Sequence, residues 1–134
     1  MGFRFGALGC ACLLFLGFWL YGCGAAEEVE SEVEEVAEDA IDTIEVNEME
    51  FSLDPADITL NQPGTYVFRA NNVGNVVHSL AIEGQGIEEE TPNIQPGESS
   101  QLKVNLDPGA YKLYCPVGNH EERGQVGMVM VRAS

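Results

Sequence analysis

Cys115 and His120 stand with four residues between them, in the run Tyr114-Cys115-Pro116-Val117-Gly118-Asn119-His120. A turn-rich segment of that length can present a thiol and an imidazole to a single ion. The sequence holds two histidines, and the other, His78, comes from a distant segment to complete a set of two imidazoles and one thiolate. That set suits one copper ion passing between Cu(I) and Cu(II), because both oxidation states accept these donors without large rearrangement. Zinc takes four good ligands in a closed structural site, or three with an open water position in a catalytic one; neither pattern is evident. A lone buried cysteine is usually a small hydrophobe, and a lone core histidine is usually just hydrogen-bonded. The convergence of three donors sets these residues apart.

Strands must position them. From Ile44 onward apolar residues alternate with polar ones, broken every eight to twelve residues by turn chemistry. This is the pattern of an all-β Greek-key sandwich or barrel of about seven to eight strands. The turn signals are Asp54-Pro55, Asn61-Gln62-Pro63-Gly64, Asn71-Asn72-Val73-Gly74-Asn75, Gln95-Pro96-Gly97 and Asp107-Pro108-Gly109, where glycine supplies positive φ and proline presets the turn. Between them the strands are expected at 44–53, 57–60, 65–71, 76–83, 99–106, 110–115 and 126–132. In the first, a change of phase between Ile44/Val46 and Met49/Phe51/Leu53 predicts a bulge or bend near Asn47-Glu48. Residues 84–98 are weakly patterned, and Glu88-Glu89-Glu90 reads as a solvated loop. Alternation places His78 in phase with Leu80 and Ile82, and Cys115 in phase with Tyr111 and Leu113, so both should face one apolar interior.

The N-terminus has a different character. One cation, Arg4, precedes a nearly continuous apolar run from Phe5 to Gly22, the layout of an export signal. Leu20-Tyr21-Gly22-Cys23 resembles a bacterial lipobox, in which the cysteine thiol carries lipid after cleavage. An uncleaved anchor is the alternative, since about 18 to 20 apolar residues can span a bilayer. Residues 24–43 hold nine acids and no base. Self-repulsion should keep such a stretch extended as a tether. The expected organisation is therefore signal peptide or anchor at 1–22, lipidated Cys23 and tether at 23–43, and a folded domain at 44–134. Either anchor leaves the domain outside the cytoplasmic membrane, on the periplasmic or cell-surface side. Cys10, Cys12 and Cys23 belong to this N-terminal part, so Cys115 is alone in the domain and no disulfide framework is available.

Further motifs surround the ligand run: Phe51-x-x-x-Pro55-x-x-Ile58-Thr59, Asn72-x-Gly74-x-x-x-His78, Pro96-Gly97, and Asp107-Pro108-Gly109-x-Tyr111-x-x-Tyr114-Cys115. With them the sequence resembles the cupredoxin (type 1 blue-copper) family over nearly all of residues 44–132. The resemblance implies one-electron transfer, with His120 as the electron port, framed by Pro116, Val117 and Gly118. It also points to a fourth, axial ligand. Relatives with the same Cys-to-His spacing commonly carry methionine five residues after the histidine; here that position is Gln125, as in stellacyanins. Met128 is the rival, lying beyond Gly127 at the start of the last strand. The loop departs from the common Cys-x-x-Pro-Gly-His pattern, with Gly118-Asn119 at the Pro-Gly positions.

With 22 acidic against six basic residues and a net charge of −16, the chain repels nucleic-acid phosphate and favours basic redox partner proteins. A monomer is expected. A different class of function, copper trafficking or storage in the cell envelope, would use the same ligands but release the ion readily to a chelator. Catalysis is not expected, because a copper enzyme needs an open position or a second metal centre. A binuclear copper domain would need two cysteines in the loop, and only Cys115 is there. The lipobox yields the first prediction. Cys23→Ser should release the protein from the membrane fraction, since the acidic tether has no affinity of its own for anionic headgroups; a variant that stays in the membrane at full length identifies the uncleaved anchor instead.

Overall fold

The computed structural model describes residues 39–134; Cys23, the leader and most of the tether lie outside the described residues. Nine strands follow in order: β1 Asp42–Met49, β2 Ser52–Asp54, β3 Asp57–Leu60, β4 Gly64–Asn72, β5 Ala81–Gly84, β6 Ile87–Glu90, β7 Ser99–Leu106, β8 Gly109–Tyr114 and β9 Val126–Val131. They form one sheet in the order β2-β1-β4-β7 and a second in the order β3-β9-β8-β5-β6. The pairs β1·β4 and β3·β9 are parallel, and the remaining pairs are antiparallel. Among the described residues no helix is long and apolar enough to cross a membrane.

Alternation builds the interior. On β7, Leu102, Val104 and Leu106 are buried while Lys103 and Asn105 are exposed. Facing them from the second sheet are Tyr111 and Leu113 of β8, Ile82 of β5, and Val129 and Val131 of β9, all in one apolar cluster with Phe68 of β4. Burying such side chains is worth about 1.5–3 kcal/mol each, so the two inner faces hold the sheets together.

Four expectations are corrected by tertiary pairing. The bend in the first strand falls at Glu50-Phe51 rather than at Asn47-Glu48, because β1 keeps unbroken register with β4 through Glu48↔Asn72 and only then reverses into β2. Glu48 consequently stays in phase with Val46 and points inward, where it is fully buried. The span 76–83 is a strand only from Ala81; His78 lies in an irregular segment, with an isolated backbone bridge to Ile94. Glu88-Glu89-Glu90 is no loop but most of β6, an edge strand paired with β5. The first strand also starts earlier than expected, at Asp42.

Four of the metal-binding candidates lie at one end of this sandwich. His78 falls between β4 and β5, and Cys115, His120 and Gln125 lie between β8 and the start of β9. The start of β9 is held close to the chain ahead of β3, where Met128 N–H donates to the Ala56 carbonyl at 2.9 Å. A side chain at Gly127 would collide with that same carbonyl. Gly127→Ala should therefore cost about 1–3 kcal/mol through overpacking, measured as a lower midpoint in denaturant unfolding; wild-type stability in the variant would show that the β3–β9 contact can open freely.

Candidate metal centre

The segment carrying His78 has little strand hydrogen bonding, so side chains hold it. Asn72, at the end of β4, donates through its amide to the carbonyls of Val76 at 2.7 Å and Ile94 at 2.8 Å, and accepts from Gly74 N–H at 3.0 Å. Glu50 closes the same turn, its carboxylate accepting from the N–H groups of Asn75 and Val76. These bonds hold the Glu50 carboxyl below the usual carboxylate range, the Asn75 N–H contributing most. Ile94 completes the frame through reciprocal backbone bonds with His78, at 3.1 and 2.7 Å. The Asn72-x-Gly74 motif thus works by fixing the histidine backbone.

The opposite side of the centre is a closed loop. Cys115 N–H donates to the Gln125 carbonyl at 3.1 Å, and Gln125 N–H donates to the His120 carbonyl at 3.0 Å. Within it, His120 N–H reaches the Val117 carbonyl and Arg123 N–H reaches the Asn119 carbonyl, both at 3.1 Å. Phe51 meets the His120 ring edge-on, centroids 5.0 Å apart, and Arg123 lies over the other partner ring, its guanidinium carbon 3.5 Å from the Phe51 centroid. Phe51 and Arg123 thus position His120, a role that alternation could not reveal because both lie outside regular strands.

Three donor atoms converge. Cys115 Sγ lies 3.8 Å from His78 Nδ1 and 3.5 Å from His120 Nδ1, and all three ligand atoms fall within 4.8 Å of one another. Metal–nitrogen and metal–sulfur bonds of about 2.0–2.1 and 2.3 Å at a trigonal angle would put N and S about 3.8 Å apart, so an ion fits between them. His78 and Cys115 are fully buried, and His120 is partly exposed. Gln125 is also fully buried, and neither atom of its amide has a hydrogen-bond partner. It lies close enough to His78 to favour the imidazole's charged form, without meeting hydrogen-bond geometry. Met128 is 47% exposed, at a β9 position paired with Asp57 and Lys112.

Electrostatics favour a ligand role over a charged histidine. Burial, aided by the neighbouring His120, lowers the His78 pKa and leaves the ring neutral with a lone pair to offer. Burial pushes the Cys115 thiol up, while N–H groups of Ser79 and Val117 pull it back. A bound cation would reverse the balance, since coordination deprotonates a thiol outright.

A thiolate and two imidazoles at one end of a two-sheet sandwich define a type 1 copper protein: His78, Cys115 and His120 are positioned to bind one copper ion. The cupredoxin-like domain model matches residues 11–127, and the chain belongs to that family. Among curated proteins none matches the sequence. Among solved structures, reduced auracyanin from the photosynthetic bacterium Roseiflexus castenholzii aligns with TM-score 0.61 at 20% identity, covering 69% of this chain and 98% of that one. Auracyanin A, a "blue" copper protein from Chloroflexus aurantiacus, aligns with TM-score 0.59 at 17% identity, covering 67% and 98%. A Cu-containing nitrite reductase from Thermus scotoductus aligns with TM-score 0.55 at 20% identity, over 69% of this chain but 28% of the enzyme. At these identities the likeness is one of fold.

Cys115→Ser should abolish the intense visible band of the Cu(II) protein, because only the thiolate can supply that charge-transfer donor. His78→Ala or His120→Ala should leave an incomplete site with a shifted, weaker band. Absorption spectra of the copper-loaded variants decide it; a blue Cys115→Ser protein would sink the ligand assignment.

Proposed function

We propose that this protein is a membrane-tethered, extracytoplasmic one-electron carrier, in which His78, Cys115 and His120 hold a single copper ion and Gln125 is its axial ligand. The observation that carries the reading is the convergence of the two Nδ1 atoms on Cys115 Sγ beside the buried, unpartnered amide of Gln125. Bound copper supplies one-electron chemistry by alternating between Cu(I) and Cu(II). The chain's own residues do the rest. The Asn72–Ile94 frame and the closed ligand loop hold the donors before the metal arrives, so little rearrangement accompanies a change of charge. Partly exposed His120, packed against Phe51, is the route by which an electron enters and leaves. The likeness to a blue copper protein supports electron carriage. The acidic surface favours basic redox partner proteins, and the N-terminal sequence supports tethering by lipid at Cys23.

Glutamine as axial ligand has a measurable consequence. An amide oxygen is a harder donor than a thioether, so it favours Cu(II) and lowers the reduction potential. Gln125→Met should raise the potential, by about 100 mV if the axial term is worth about 2.3 kcal/mol. Met128→Leu should leave it unchanged, because that exposed side chain touches no ligand in this reading and the swap roughly conserves volume. Protein-film voltammetry of both variants is the test: a large shift for Met128→Leu with none for Gln125→Met would give the axial role to Met128.

A further inference from the structure

Glu48 is the unexplained group of this fold. It is fully buried, and neither carboxylate oxygen has a hydrogen-bond partner. Leaving a carboxylate unpaired in the interior is expensive, and a group so placed ordinarily takes a proton. Its position is equally unusual. β1 runs parallel to β4, so Glu48, level with Asn72, reaches the end of the sandwich that holds the ligands.

The flanking strands bring it no charge. Opposite it on β2 is Leu53, and on β4 is the neutral amide of Asn72, already committed to Val76 and Ile94. From the second sheet, the ionisable group that feels its field is the Cys115 thiol at the end of β8. Glu48 makes no hydrogen bond to any ligand residue, so any influence on the centre runs through its charge. Burial pushes the carboxyl up to about 7, which poises it between its two forms near neutrality.

We propose that Glu48 is a redox-linked proton acceptor, binding one proton when the copper centre gains an electron and releasing it when the centre is oxidised. The inference rests on the copper reading above and goes beyond it, making the protein a carrier of one electron and one proton together. The balance is simple. A one-electron reductant supplies the electron, solvent supplies the proton, and the Glu48 carboxylate becomes a carboxylic acid; oxidation reverses both transfers. The sign follows from charge. Reduction removes one positive charge from the centre, so a nearby carboxylate loses an attractive partner and its proton affinity rises. The reduction potential must then fall as pH rises, across the window between the proton affinities of the oxidised and reduced forms.

Equilibrium voltammetry of the copper-loaded full chain as a function of pH, with Glu48→Gln beside it, is the test. Wild type should show a potential that falls with pH around neutrality, the slope bounded at about 59 mV per pH unit for one proton per electron. Glu48→Gln should be flat there and should lie above wild type on the alkaline side. Reduced-minus-oxidised infrared spectra provide an independent readout. In wild type near pH 7 a carboxylic-acid carbonyl band should appear on reduction and shift in D2O. That measurement stands alone should Glu48→Gln fold poorly, and absence of the band overturns the proposal. An equal pH slope in both proteins, with a normal charge-transfer band, also overturns it while leaving the copper reading intact. Failure of the Cu(II) protein to show that band overturns the copper reading, and this inference with it.

Discussion

The backbone bond from Cys115 N–H to the Gln125 carbonyl, at 3.1 Å, closes the ligand loop onto the end of β8 and the start of β9. Because β8 and β9 are paired along their length from Tyr114↔Val126 to Gly109↔Val131, the loop inherits the rigidity of the sheet. Its other anchor, the Gln125 N–H to the His120 carbonyl, fixes the exposed histidine relative to the thiol. A site assembled from free loops would lose much of its binding energy to ordering those loops. Here that cost is met during folding, by the apolar interior beneath.

That interior changes character along its length. Its middle is apolar, with Phe68, Ile82, Leu106, Leu113 and Val129 packed between the sheets. At the ligand end the buried residues include His78, Cys115, Gln125, Glu48 and Asn72. Of these, Asn72 is well bonded, whereas His78 Nε2, the Gln125 amide and both Glu48 oxygens lack partners. Buried unsatisfied polar groups are rare in folded proteins and cluster where function needs them. Their concentration at one end, above an apolar core, is what separates site from scaffold in this molecule.

The acidic surface has a structural use of its own. β6 is the outer strand of its sheet, and Glu88, Glu89 and Glu90 on it are exposed. A charged edge strand resists pairing with a second chain, so these acids protect a sheet edge that would otherwise template association. Lys112 on β8 is the local counterweight, 3.0 Å from both Glu83 and Glu121 and over the Tyr114 ring. Exposed pairs of this kind contribute little stability, but they tie the ligand loop's Glu121 to the strands behind it.

The donors, their loop and the fold class were legible in the sequence because they depend on short distances along the chain. Cys115 and His120 are near enough for a turn to unite them, and alternation on β7 and β8 shows which side chains enter the core. Tertiary structure alone decided what depends on partners far away. The irregular segment of His78 is shaped by its backbone bridge to Ile94 and by the bond from Asn72 to the Ile94 carbonyl, neither of which has a local signature. β6 exists because β5 offers it a ladder, not because its own residues favour a strand. Glu48 is the sharpest case: a glutamate ordinarily stays in solvent, and the apparent change of phase put a bulge or bend at Asn47-Glu48. Register with β4 carries β1 straight past that point, and because a strand's side-chain period is two, the unbroken pairing turns the carboxylate inward.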